Sequence, residues 1–170
     1  MTVEVRLERS EDRQAGLEVE RLAFGETGDE DVAIVLAVRD EPDAFALVAL
    51  DGDDVVGHVQ FSPAAIGDTP VLALGPIGVL PERQGEGVGG ALVRRGLGEA
   101  RSRGAVAVIL LGDPAYYGRF GFAPALPLGL RNPFAGETES GFVIEEEDLQ
   151  LVRFDDQELT GDVRWHPAFG

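Results

Sequence analysis

Cysteine is absent from this chain, and so is lysine: all 14 of its basic residues are arginine. Without a thiol there is no disulfide framework, no thiolate nucleophile and no Cys-ligated zinc. Without lysine no Schiff base can form, and a phosphate loop of the GK[ST] type is excluded. Histidine is scarce too, and His58 and His166 lie too far apart to suggest metal ligation. No apolar run approaches the roughly 20 residues of a membrane-spanning helix, and no apolar leader opens the chain. The sequence therefore reads as a soluble, cytoplasmic protein with no membrane partner. With 31 acidic residues against 14 basic ones the net charge is −17, which argues against nucleic acid as a partner, because that binding depends on neutralising phosphates. A high-salt cytoplasm with an acidic proteome and GC-rich codon usage would each produce this composition.

What the chain does have is glycine, 23 residues of it, and the most informative cluster lies between Pro81 and Arg103. Gln84-Gly85-Glu86-Gly87-Val88-Gly89 joins a strand-like apolar run to an amphipathic helix. Glycines at a helix start leave the first-turn N–H groups approachable by an anionic ligand. Beyond the loop, Gly89, Leu92, Val93, Gly96, Leu97 and Ala100 form one apolar stripe with Arg94, Arg95 and Arg101 opposite. The segment 81–103 carries five arginines and three glutamates and is the least acidic part of the molecule, which suits a polyanionic ligand.

The remaining pattern predicts a single domain over 1–170, long enough to bury roughly two-thirds of its unfolded surface. Val3 to Leu7 alternates as a strand. Ser10 is placed to cap a helix reaching Phe24, and Asp29 a second one whose Val32, Val35 and Leu36 share a face. Phe45–Leu50 and Val55–Ser62 read as a hairpin closed by Asp51-Gly52-Asp53-Asp54, with His58, Gln60 and Ser62 on the polar face of the second strand. A strand over Val71–Leu80 is interrupted by Gly75-Pro76, which marks a bulge or the end of pairing with a neighbour. Ala105–Leu111 is a buried strand, and Asp113-Pro114 opens a short helix ending at Gly121. After residue 125 the pattern weakens, with Phe142–Ile144 the best remaining strand.

Two readings of the glycine loop compete. Gly85-x-Gly87-x-x-Gly90, with Asp113 at the end of the next strand, matches an NAD-type dinucleotide fingerprint. That fold places its loop after the first strand, whereas here an antiparallel hairpin and about 80 residues precede it. The other reading joins Gln84-x-x-Gly87-x-Gly89, after a bulged strand ending Val79-Leu80-Pro81, to Tyr117-x-x-x-Gly121-Phe122 beyond the next strand. In motif and in element order, over residues 1–125, the chain resembles the GNAT superfamily of acyl-CoA N-acyltransferases, specifically a branch of bacterial and archaeal N-acetyltransferases with unassigned acceptors. Residues 126–170 would complete the same domain.

The resemblance implies an α/β (α+β) GNAT fold: a central mixed, mostly antiparallel sheet flanked by helices, with a V-shaped split between two adjacent central strands. It implies acetyl-CoA as acyl donor and a small-molecule amine as acceptor, and is compatible with a homodimer. Gln84, Gly85, Gly87, Val88 and Gly89 would bind the pyrophosphate. Gly78 and Val79 would pair with the pantetheine arm, with the Val79 N–H polarising the thioester carbonyl. Tyr117 would protonate the departing thiolate. The family fixes no general base; Glu26 and His58 are the acceptor-pocket candidates. A non-catalytic acyl-CoA sensor of the same fold is the rival reading, and retention of Tyr117 argues against it.

Overall fold

The alternating apolar segments fold as strands and the 3.6-periodic ones as helices in the computed structural model, which describes residues 2–170. In chain order the elements are β1 (Glu4–Leu7), α1 (Arg13–Phe24), α2 (Gly28–Val38), β2 (Phe45–Asp51), β3 (Asp54–Ile66), β4 (Thr69–Val79), α3 (Val88–Ser102), β5 (Ala107–Leu111) and α4 (Pro114–Tyr117). They continue with β6 (Ala123–Pro124), β7 (Gly136–Glu137), β8 (Val143–Ile144), β9 (Leu149–Arg153) and β10 (Val163–Arg164), with short 3-10 turns between them. The described residues pack as two compact units, one of residues 2–62, 74–99 and 166–170, the other of 63–73 and 100–165. β3, β4 and α3 run through both.

In the first unit β1 pairs antiparallel with β2 and β2 with β3. The hairpin turn falls where the sequence puts it, with Asp51 opposite Asp54. α3 covers one face of this sheet. Its approach depends on missing side chains: a Cβ at Gly57 would lie 2.9 Å from Leu92, and one at Gly96 would lie 2.5 Å from the Phe61 ring. That ring is stacked on Phe45 at 4.6 Å and cannot retreat cheaply. Gly96→Ala is therefore expected to cost about 1–3 kcal/mol by overpacking. Gly98, exposed on the same helix with no atom within 4 Å of its Cβ position, should gain about 0.4–1 kcal/mol as alanine. Urea titration of the two variants checks the contrast, and equal effects would mean that α3 does not rest on Phe61.

The opposite face of β3 meets α1, and here several expectations change. His58, Gln60 and Ser62 are fully buried, because a strand with neighbours on both edges and helices over both faces has no solvent side. Ser10 does not cap α1: Asp12 accepts the Arg9 N–H at 2.7 Å and pairs with Arg6. Asp29 lies inside the first turn of α2 rather than before it. Leu36 is exposed, and Val32 and Val35 pack on Leu17 instead.

In the second unit the order is β4, β5, β9, β6, with β10 against the end of β3. β4 and β5 are parallel, while β5 with β9, β9 with β6 and β3 with β10 are antiparallel, so the sheet is mixed and mostly antiparallel. The parallel register covers Leu72 and Ala73 and stops before Gly75, where the sequence predicted an interruption. β9 was not legible in the weak pattern after residue 125, yet it lies between β5 and β6. Ile66, Ile109, Leu149 and Leu151 are central to this unit's core.

Candidate active site

The candidate site residues anticipated from the sequence fall mainly into two groups, one in each unit. In the first, β4 ends at Val79 and the chain crosses a 3-10 turn and the glycine loop into α3. Gly85 and Gly87 have φ of +80° and +86°, a left-handed conformation that side chains with a Cβ rarely adopt, and a Cβ at either would meet nothing within 4 Å. Ala91 is the residue whose N–H bonds back to Gly87 O, at 3.1 Å. The N–H groups of Val88, Gly89 and Gly90 therefore have no partner within the helix. Such a helix start favours an anion, and its residues fit a pyrophosphate.

Two side chains hold the loop. Gln84 Nε2 donates to the Val79 carbonyl at 3.1 Å, fastening the loop to the end of β4. Arg83 donates to Asp51 and Glu86, each at 2.9 Å, which ties the loop to the hairpin turn. Arg83 and Arg95, the latter paired with Glu99 at 3.1 Å, are thus already paired with carboxylates. Leu80 N–H bonds to Val56 O at 2.9 Å. By the alternation of a strand, the N–H of Val79 points the other way, away from β3.

Gly78 lies over α1. A Cβ there would sit 2.9 Å from Glu20 Oε2 and 3.0 Å from Ala23, so glycine lets the helix and its carboxylate close against the strand. Glu20 is fully buried and accepts from His58 Nδ1 at 2.8 Å. His58 Nε2 lies 3.1 Å from Glu8 Oε2 but out of line for a hydrogen bond, which leaves that contact an ion pair. Burial alone would depress the His58 imidazolium, but its two carboxylate neighbours override this and raise it to about 9. Burial likewise pushes the Glu20 carboxyl up, against the pull of His58. Glu8 and Glu20 are functional candidates that the sequence reading passed over. Glu26, by contrast, is exposed in the turn between α1 and α2, and His166 caps the last turn through Ala168 N at 3.0 Å.

The second group centres on Tyr117. Asp113 accepts from Ala115 N at 2.9 Å and Pro114 follows it, so α4 opens as its sequence dictates. The Tyr117 ring lies against Gly112, where a Cβ would fall 2.4 Å from ring carbon Cε2. Gly112 is itself pinned: its N–H donates to Asp148 O at 3.0 Å, and its carbonyl accepts from Gln150 Nε2 at 2.8 Å. Tyr116 and Phe122 meet the ring edge-on at 4.8 and 6.0 Å. The phenol is pushed up to about 12, first by burial and then by Tyr116. It stays protonated over any usable pH range, and this packing fixes its direction.

Residues 4–125 match the family model of an acetyltransferase (GNAT) domain, and the chain belongs to that family. It is 38% identical over 131 residues, 74% of each chain, to the uncharacterized N-acetyltransferase YhbS of Escherichia coli K12. To the uncharacterized N-acetyltransferase YjhQ of the same strain it is 40% identical over 112 residues, 63% of this chain and 62% of that relative. A GNAT family acetyltransferase from Brucella melitensis, solved in complex with acetyl-CoA, superimposes with a TM-score of 0.77 at 34% identity over 99% of both chains. E. coli YhbS solved in complex with CoA gives 0.85 at 30% identity over 98% of this chain and 91% of that one. The dinucleotide fingerprint is thus coincidental, and Asp113 serves as a helix cap.

Proposed function

We propose that this protein is an acetyl-CoA-dependent N-acetyltransferase acting on a small amine. The observation that carries the reading is the α3 entrance: unpaired first-turn N–H groups behind two left-handed glycines, fastened by Gln84 to the end of β4. Val88, Gly89 and Gly90 amides take the pyrophosphate, and the outward N–H of Val79 polarises the thioester carbonyl, an interaction worth a few kcal/mol in acyl transfer. Tyr117 donates to the thiolate as the carbon–sulfur bond breaks. The solved relatives that bind acetyl-CoA and CoA support the choice of donor.

At 100 times its dissociation constant, CoA should stabilise the fold by about 2.7 kcal/mol, and NAD should not. Gly87→Val should abolish that shift: the branched side chain projects where the phosphate must lie, and the left-handed backbone adds a cost of about 1–2 kcal/mol. Differential scanning fluorimetry decides it, since a normal CoA shift in Gly87→Val would reduce the loop to a tight turn. Thiol release from acetyl-CoA across a panel of amines then separates an enzyme from a sensor that binds without turnover.

A further inference from the structure

β9 carries a polar side chain into the closed interior of the second unit. Gln150 has no exposed surface. It stands between Leu110 of β5 and Pro124 of β6, while Leu149 and Leu151 on either side of it turn to the opposite, apolar face. The reason for an amide here lies at Gly112. In an antiparallel ladder a hydrogen-bonded pair exchanges two bonds, and the Gly112 N–H does donate to Asp148 O at 3.0 Å. The Asp148 N–H, which would return the bond, is spent instead on Glu145 O at 3.2 Å. Gln150 Nε2 supplies the missing donor and reaches Gly112 O at 2.8 Å. Its own Oε1 stays buried without a hydrogen-bond partner, a cost that an apolar residue of similar size would not carry. The Tyr117 ring rests on the glycine so held, with so little clearance that one added carbon would lie 2.4 Å from Cε2 and 2.8 Å from Cδ2.

We propose that Gln150 is a positioning residue for acyl transfer: it holds the Gly112 carbonyl, so that the end of β5 sets the height of the Tyr117 ring and the direction of its hydroxyl. This rests on the acetyltransferase reading and on Tyr117 as its proton donor, and adds a residue that acts through another. Tyr116 and Phe120 belong to α4 and the turn after it and move with the ring, so they do not fix it against the sheet. Gly112 does, because both of its polar backbone groups are tied to β9 and the residue before it. Without the Gln150 donor, the Gly112 carbonyl must turn to find another partner. Its peptide plane is shared with Asp113, whose side chain accepts from Ala115 N and opens α4, so that rotation moves the start of the helix that carries Tyr117.

The test is a double-mutant cycle. Thiol release from saturating acetyl-CoA with the best amine of the panel, and the CoA thermal shift, are compared for wild type, Gln150→Met, Tyr117→Phe and the double variant. Gln150→Met keeps the length of the side chain and removes its donor. It should lower kcat by roughly 10- to 100-fold, the scale of a misplacement of about 1 Å, with the KM for acetyl-CoA and the CoA shift unchanged. In the Tyr117→Phe background the same substitution should change kcat by less than about twofold, because a group that acts through the hydroxyl has nothing left to aim, whereas independent sites add. Gly112→Ala pushes on the ring directly and leaves Gln150 in place. It should show the same pattern, and it carries the test alone if Gln150→Met does not fold. Equal kcat losses in the two backgrounds, or variants as fast as wild type, overturn the role of Gln150. Where wild type shows neither CoA shift nor thiol release, the acetyltransferase reading itself fails and this proposal with it.

Discussion

Tyr117→Phe is expected to lower kcat by a factor on the order of 10²–10⁴ with CoA affinity and stability unchanged. The phenylalanine ring keeps every packing contact, against Gly112, Tyr116, Phe120 and Phe122, so the variant removes a hydroxyl and little else. A phenol that burial pushes up to about 12 argues for the lower end of that range. A thiol with a pKa near 8.5 leaves as a weaker base than such a phenolate, so complete proton transfer from Tyr117 is uphill, and its gain comes from hydrogen bonding as charge grows on sulfur. A thioester with a more acidic thiol should therefore suffer less from the substitution. Because the phenol keeps its proton below about 12, no alkaline fall in wild-type activity should trace to it. Steady-state kinetics at saturating acetyl-CoA decide the matter: wild-type kcat in Tyr117→Phe would return the residue to its aromatic cluster.

The hairpin, the glycine loop, α3 and the Asp113-Pro114 cap were legible because each is specified by residues within a few positions of one another. β9 and the Glu8–His58–Glu20 row were not, because each depends on contacts distant in sequence. Leu149–Arg153 is too short and too mixed to stand out, and becomes a central strand through its pairing with β5. His58 and Glu20 are 38 positions apart, and a histidine alternating with Val59 and Gly57 looks like the wet face of a strand until both faces are covered. A signal for Glu20 was present all the same. Gly16, Val19, Glu20 and Ala23 fall at i, i+3, i+4 and i+7, so this carboxylate stands on the buried stripe of α1. A charge on an apolar stripe asks for a buried partner, and one of the chain's two histidines was a candidate for it.

That partnership should dominate the pH dependence of stability. His58→Leu is expected to destabilise the fold by about 3–5 kcal/mol near neutral pH, since it leaves the Glu20 carboxyl buried in the core without its partner. In wild type the His58 proton is held more tightly folded than unfolded. Its contribution is complete below the unfolded value near 6.5 and fades as pH rises through about 9. The Glu20 carboxyl is also raised, and without His58 it rises further, so the variant is relieved as pH falls and Glu20 takes up a proton. The difference between the two proteins should therefore be largest around neutrality and narrow toward both pH 4 and pH 10. Urea denaturation across that range measures it. A deficit equal at every pH would assign the loss to packing rather than to charge. Glu20→Leu/His58→Leu should recover most of the stability, because apolar replacement of a whole buried ion pair is often neutral or favourable. If that double variant is as stable as wild type yet transfers no acetyl group, the pair is retained for the reaction and not for the fold.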